Sequence, residues 1–284
     1  IIWVIDSSPS MGDSILLIEQ NLNAFAADIG SSGLDFHVVI VGSEADGYDP
    51  AAQRSYLGIC IPQPLSATPG CPDTDSDTYL HIREGVHSDD SLNKLINSYD
   101  AYKGFLREGA VVHFVAVTDD DTGWNSDDVD FNNFALAATE PGFPNGFTFH
   151  SIVDLVGYVL GCGQEEPCSC GEERGQEYIN LSETTGGIVQ SVCQEDWTPV
   201  FDALKANVIE GALLPCEFEL PQFEGGLQID PGETNVVLIS TEDGSRTVLP
   251  NVSGPDACGD NQAWYFNRPS DPDGAILCDA VCGL

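Results

Sequence analysis

Residues 1–14 read IIWVIDSSPSMGDS, an apolar run that stops at Asp6 and gives way to Ser7, Ser8 and Ser10. Ile1 to Ile5 is apolar without interruption, the pattern of a strand covered on both faces rather than one half exposed to water. Behind it Ile15, Ile18, Leu22, Phe25, Ala26 and Ile29 recur at helical spacing, with Gly30 and Gly33 as the stop. The unit is therefore strand, turn, amphipathic helix. Asp6, Ser8 and Ser10 in its turn either cap the helix or converge on something that needs oxygen ligands.

The same alternation continues outward. FHVVIVG (36–42) predicts a second buried strand, TYLHIRE (78–84) an alternating edge strand, and AVVHFVAVTD (110–119) a strand that again ends in aspartate. FTFHSIVDLV (147–156) and GIVQSV (187–192) predict two more. Helical spacing predicts helices from about Ser88 to Leu106, near Asp127–Ala138, through Leu181 to a stop at Gly186–Gly187, and from Asp196 to Glu210. Residues 43–77 read as a long loop rich in Pro, Gly and Asp. Strand alternating with helix predicts an α/β fold with a doubly wound, mostly parallel sheet flanked by helices. After Leu214 the segments CEFELP, NVVLIST, RTVLPNV, AWYFN and AILC are separated by turn residues and show no helical period. The expected division is an α/β domain over 1–212 and a small β-rich extension over 213–284, stapled by some of Cys216, Cys258, Cys278 and Cys282.

In 284 residues, 46 Asp and Glu stand against 9 Lys and Arg, a formal net charge of −37. Nucleic acid is excluded as a natural partner, because phosphate binding needs a basic surface. An anionic membrane surface is disfavoured on the same ground, and cations are the natural ligands. The acidity also serves solubility in an exported protein.

The 10 cysteines are even in number and mostly in expected loops, which predicts disulfides and an oxidising compartment. No CxxC pair occurs, so Cys162, Cys168 and Cys170 are expected in disulfides rather than on zinc. Cys60 and Cys71 are expected to close their own loop. No run approaches the ~20 apolar residues that span a bilayer, and no signal peptide is visible. The chain starts within a core strand, so residues before Ile1, with any export signal or lipid anchor, are expected in the natural protein.

In an open α/β sheet, ligands bind beyond the carboxyl ends of the strands. Asp6 and Asp119 both occupy such ends. Asp6, Ser8 and Ser10 follow D-x-S-x-S, which places one carboxylate and two hydroxyls in one turn. Hard divalent cations, Mg²⁺ or else Mn²⁺ or Ca²⁺, take such oxygen sets with few carboxylates.

The first strand and turn, its amphipathic helix, FHVVIVG and then FVAVTDD together resemble a von Willebrand factor A domain with a metal-ion-dependent adhesion site. The likeness extends over most of the chain, through the Cys60–Cys71 region and the terminal AILCDAVC, to exported A-domain proteins of myxobacteria. It implies that Asp6, Ser8 and Ser10 supply the first metal loop and Asp119 the third. It implies Ser88 for the second, where the family often has Thr; Thr78 is the alternative. Pro9 stands where the family most often has glycine.

Other acidic stretches are candidates for additional Ca²⁺. DTDSDT (73–78) alternates carboxylates but lacks the glycine and distal glutamate of an EF-hand, and DDDTG (119–123) lies beside the first site. SDPDG (270–274) reads as a turn. His37, His113 and His150 fall in strands and read as structural.

Three functions follow. The first is an extracellular or cell-surface adhesion module whose cation accepts a carboxylate from a protein partner, as the resemblance implies. The second is a structural subunit of an extracellular assembly, with copies of itself as partners. The third, a hydrolase, is disfavoured. Position 8 is Ser where aspartate-nucleophile phosphotransferases carry Asp, Lys94 and Lys103 lie in an expected helix, and no G-x-S-x-G is present. The chain is read as a non-enzyme.

Overall fold

The structure is a computed structural model. It describes residues 1–44, 46–49, 54–107, 110–122, 146–157, 171, 173–212, 216–220, 230–239, 245–268 and 272–282. The expected helix near Asp127–Ala138 and the cysteines at 162, 168 and 170 lie outside them. Contacts divide the chain into two compact units, Ile1–Ile209 and Glu210–Leu284.

The first unit is built on six strands: β1 (Ile2–Ile5), β2 (Val38–Gly42), β5 (Tyr79–Arg83), β6 (Val112–Thr118), β7 (Phe147–Val153) and β8 (Val189–Ser191). They form one sheet in the order β5-β2-β1-β6-β7-β8, and every pairing is parallel. The chain winds outward from β1 to β5, returns to lie beside β1 as β6, and winds outward again. That makes the β1/β6 boundary the topological switch point.

Alternation within β1 explains why the sheet needs cover on both faces. Trp3 and Ile5 pack among Ile15, Ile18, Leu22 and Phe25 of helix α1 (Gly12–Ser31) and Val200, Phe201 and Leu204 of α5 (Thr198–Ala212). Ile2 and Val4 face the other way, toward Leu92 and Leu95 of α2 (Ser91–Asn97), Tyr102 of α3 (Tyr99–Tyr102), and Tyr178 and Leu181 of α4 (Gln176–Thr185). The Trp3 and Phe201 rings stack 5.7 Å apart, with Phe25 edge-on to both. This is the doubly wound α/β fold that the hydrophobic periods predict.

Two local expectations change. The helix foreseen from Ser88 to Leu106 starts later and breaks. The Asp90 carboxylate accepts the His87 N–H at 2.8 Å, which folds 87–90 into a turn, and Ser98 both ends α2 and opens α3. The loop 43–77 contains a short antiparallel hairpin, β3 (Gly47–Asp49) with β4 (Arg54–Tyr56), and the expected Cys60–Cys71 disulfide.

The second unit is β-rich, as its short apolar segments predict. It holds the hairpin β10 (Val236–Ile239) with β11 (Arg246–Leu249). A three-stranded antiparallel sheet joins β12 (Trp264–Phe266), β13 (Gly274–Leu277) and β9 (Glu217–Glu219). Cys216–Cys282 and Cys258–Cys278 close it, around a small core of Leu249, Trp264, Ala275, Leu277 and Val281. Disulfides of this kind persist in oxidising compartments. Among the described residues, no helix is long and apolar enough to cross a membrane.

Candidate metal centre

The switch point brings the two aspartates to one place. Ile5 lies opposite Val117, and the ladder runs one residue further through the Asp6 N–H, which donates to the Val117 carbonyl at 2.9 Å. Asp6 therefore leaves the sheet beside Thr118 and Asp119. Asp6 is 0% exposed and Asp119 7%.

Each Asp6 oxygen has a partner. Oδ1 accepts the Ser8 N–H at 2.7 Å, which tightens the turn after β1. Oδ2 lies 3.0 Å from the Thr118 hydroxyl, whose proton is shared with the Ser88 carbonyl at 3.1 Å. The same hydroxyl accepts the Asp120 N–H at 3.3 Å. Thr118 thus joins the ends of β1 and β6 to the loop after β5.

The serines answer the capping question. Ser8 opens a single 3₁₀ turn, Pro9–Met11, and makes no side-chain capping bond; α1 likewise starts without one. Pro9 fits because the first position of a helical turn has no use for its missing N–H. The Ser8 Oγ lies 3.0 Å from the Ser10 Oγ, and Ser10 is exposed. One of these two hydroxyls donates to the other, and the Ser8 hydroxyl also favours the ionised form of the Asp6 carboxyl.

The electrostatics call for positive charge. Burial pushes the Asp6 carboxyl up to about 7, with the Ser8 N–H opposing the rise and the Asp119 charge adding to it. Among the described residues no Lys or Arg pairs with either aspartate. Two carboxylates with little solvent and no counter-charge fit a bound cation, and adjacent serine hydroxyls are the neutral oxygens such an ion takes. Among the described residues no group of three or more His, Cys, Asp or Glu side chains gathers as a metal cage. A site here would draw on hydroxyls, as D-x-S-x-S suggests.

Of the five expected ligands, Asp6, Ser8 and Ser10 share one turn, Asp119 acts on Asp6 through its charge, and Ser88 reaches the cluster through its backbone carbonyl. Thr78 does not belong to it. Its carbonyl accepts the Val38 N–H where β2 and β5 begin, at the opposite end of parallel strands.

The DTDSDT stretch is occupied by protein donors. Buried Asp73 accepts from Ile61 N–H (2.9 Å), Tyr79 hydroxyl (2.7 Å) and His81 Nδ1 (2.8 Å), and Asp75 accepts the His81 N–H (3.0 Å). Burial opposes the Asp73 charge, but these bonds hold its carboxyl below the usual range. Asp121 accepts the Thr122 and Glu177 N–H groups, at 2.9 and 3.2 Å.

Two further residues organise the site, and no sequence motif marks either. Thr118 was visible only as the residue before Asp119. Asp154 ends β7 as Asp6 and Asp119 end their strands, and its carboxylate accepts the N–H groups of Val156, Gly157 and Gly171 at 2.8–3.2 Å. A third strand-end aspartate thus pins the backbone beside the site. No protein-family model matches the chain, and no curated protein matches it.

Proposed function

We propose that the chain is an extracellular, divalent-cation-dependent protein-binding module. The observation that carries this reading is the pair Asp6 and Asp119, buried together at the switch point with no basic partner among the described residues, beside serine hydroxyls that make no helix-capping bond. Asp6, Ser8, Ser10 and Asp119 would hold Mg²⁺, or Mn²⁺ or Ca²⁺, with the loop at Ser88 closing the third side. Thr118 orients Asp6 and excludes rotation of its carboxylate. A cation bound by few carboxylates keeps enough positive charge to accept an acidic oxygen from a partner. The resemblance to A domains supports the same use.

Binding rather than catalysis is favoured by the fate of the lysines that phosphoryl chemistry would need. Lys94 lies 2.7 Å from Glu84, and Lys103 pairs with Asp100. Isothermal titration with Mg²⁺ tests the proposal: Asp6→Ala and Asp119→Ala should each weaken binding at least about tenfold, the loss expected for one charged ligand. Equal affinity in parent and Asp6→Ala overturns it.

A second reading, a subunit of an extracellular assembly, rests on the β10–β11 hairpin. Val237, Ile239 and Val248 are 40%, 51% and 61% exposed there. Sedimentation that stays monomeric at high protein concentration, with and without Mg²⁺, rules this reading out.

A further inference from the structure

Ser7, the residue between Asp6 and Ser8, is 1% exposed and has a different set of partners from its neighbours. Its N–H donates to the Val86 carbonyl at 2.8 Å, in the loop that leads to Ser88. Its carbonyl accepts the Leu57 N–H at 2.5 Å. Its hydroxyl donates to the Ile5 carbonyl and accepts the Ser43 N–H, both at 3.3 Å. Ser43 begins the segment that leaves β2, and Leu57 follows the β3–β4 hairpin. Both ends of that inserted segment are therefore bound to one buried residue of the site loop.

The insertion is anchored beyond Ser7 as well. The Ile59 N–H donates to the Ser43 carbonyl at 2.8 Å and closes its mouth. The Cys60 N–H donates to Glu19 of α1 at 2.8 Å, and Asn23 of α1 reaches the Pro62 carbonyl at 3.1 Å. Leu57 lies against Gly12, where α1 begins, and a Cβ at that glycine would sit 3.5 Å from it. On the far side Ile61 and the edge strand β5 meet on the Asp73 carboxylate, and Cys60–Cys71 ties that loop shut. The segment spans the site loop, the helix that follows it and the edge of the sheet.

We propose that Ser43 and residues 57–61 are a built-in brace for the D-x-S-x-S loop, acting through Ser7, and that the closed Cys60–Cys71 loop keeps the Asp6–Ser8 turn in its ligating shape. Ser7 is then a positioning residue for the site, and breaking the cystine loosens a turn that contains neither cysteine. The link to cation affinity rests on the proposed function; the brace itself does not.

Amide hydrogen exchange on the full chain in cation-free buffer separates the two. The Ser8 N–H reports on the Asp6–Ser8 turn directly. In Ser7→Ala, exchange at Ser43 and Ser8 should quicken about tenfold, the effect of losing one net hydrogen bond from a local opening, while β6 amides stay unchanged. In Cys60→Ala/Cys71→Ala, Leu57 and Ser8 should quicken in the same way. Unchanged exchange at Ser8 in both variants overturns the brace, as does equal acceleration in β6, which would mark global destabilisation only. Mg²⁺ affinity should fall by the same factor as Ser8 protection. If Asp6→Ala leaves Mg²⁺ binding intact, the cation reading fails, and Ser8 exchange still decides the brace.

Discussion

At the scale of single residues, Asp119 gives the sharpest prediction because stability and binding should move in opposite directions. Its charge raises the energy of ionised Asp6, so Asp119→Asn should stabilise the cation-free protein at pH 8 by on the order of 1 kcal/mol. The same change should weaken Mg²⁺ binding at least about tenfold. Chemical denaturation and calorimetry read the two effects; a variant that loses cation-free stability shows that the pair is not repulsive. Thr118→Val keeps the shape and removes the hydroxyl, leaving Asp6 Oδ2 and the Ser88 carbonyl short of a donor. It should destabilise by about 1–3 kcal/mol. Asp6, Ser8 and Ser10 were legible in the sequence because their spacing is local and follows an unmistakable strand. Thr118 was not, because its role exists only once β6 lies beside β1. Ser88 enters through a carbonyl, which every residue has and no motif records.

At the scale of elements, close backbone approach carries information that periodicity lacks. Gly171 packs so tightly on the loop after β6 that a Cβ there would overlap the Asp119 carbonyl oxygen, and its N–H is held by Asp154. Gly171→Ala should therefore displace Asp119, destabilise the first unit by about 1–3 kcal/mol, and weaken Mg²⁺ binding. Unchanged denaturation midpoints and affinity would falsify that placement. The strands of the sheet were legible because strands covered on both faces leave long apolar runs, and α1 because one face repeats every third or fourth residue. The break between α2 and α3 was not. The stretch from Leu92 to Phe105 keeps its apolar period across Ser98, and only the backbone turn there interrupts it. The β3–β4 hairpin was hidden for a related reason: three-residue strands are too short to show alternation.

At the scale of the whole first unit, a buried histidine pair and a buried carboxyl respond to pH in opposite senses. His150 Nδ1 accepts the Ile188 N–H at 3.1 Å, so its proton sits on Nε2 and points to His113 Nδ1, 2.9 Å away. Both rings are therefore neutral, and burial lowers them from 6.5 to about 4 for His113 and about 3 for His150, the latter also feeling His113. Their penalty is absent above 6.5 and grows as pH falls, because the unfolded chain takes up protons that the folded one refuses. Asp6 does the reverse: its penalty is absent well below 3.8, grows as pH rises, and is complete above about 7. Near pH 5.5, unfolding should therefore take up protons at the histidines and release one at Asp6. A cation bound at Asp6 displaces that proton beforehand. Saturating Mg²⁺ should then steepen the fall of unfolding free energy with acid by about one proton, about 1.4 kcal/mol per pH unit. Denaturant titrations between pH 5 and 6, in chelator and in Mg²⁺, measure that difference, and every group remote from the site cancels in it. Parallel slopes would mean that no cation competes with the Asp6 proton.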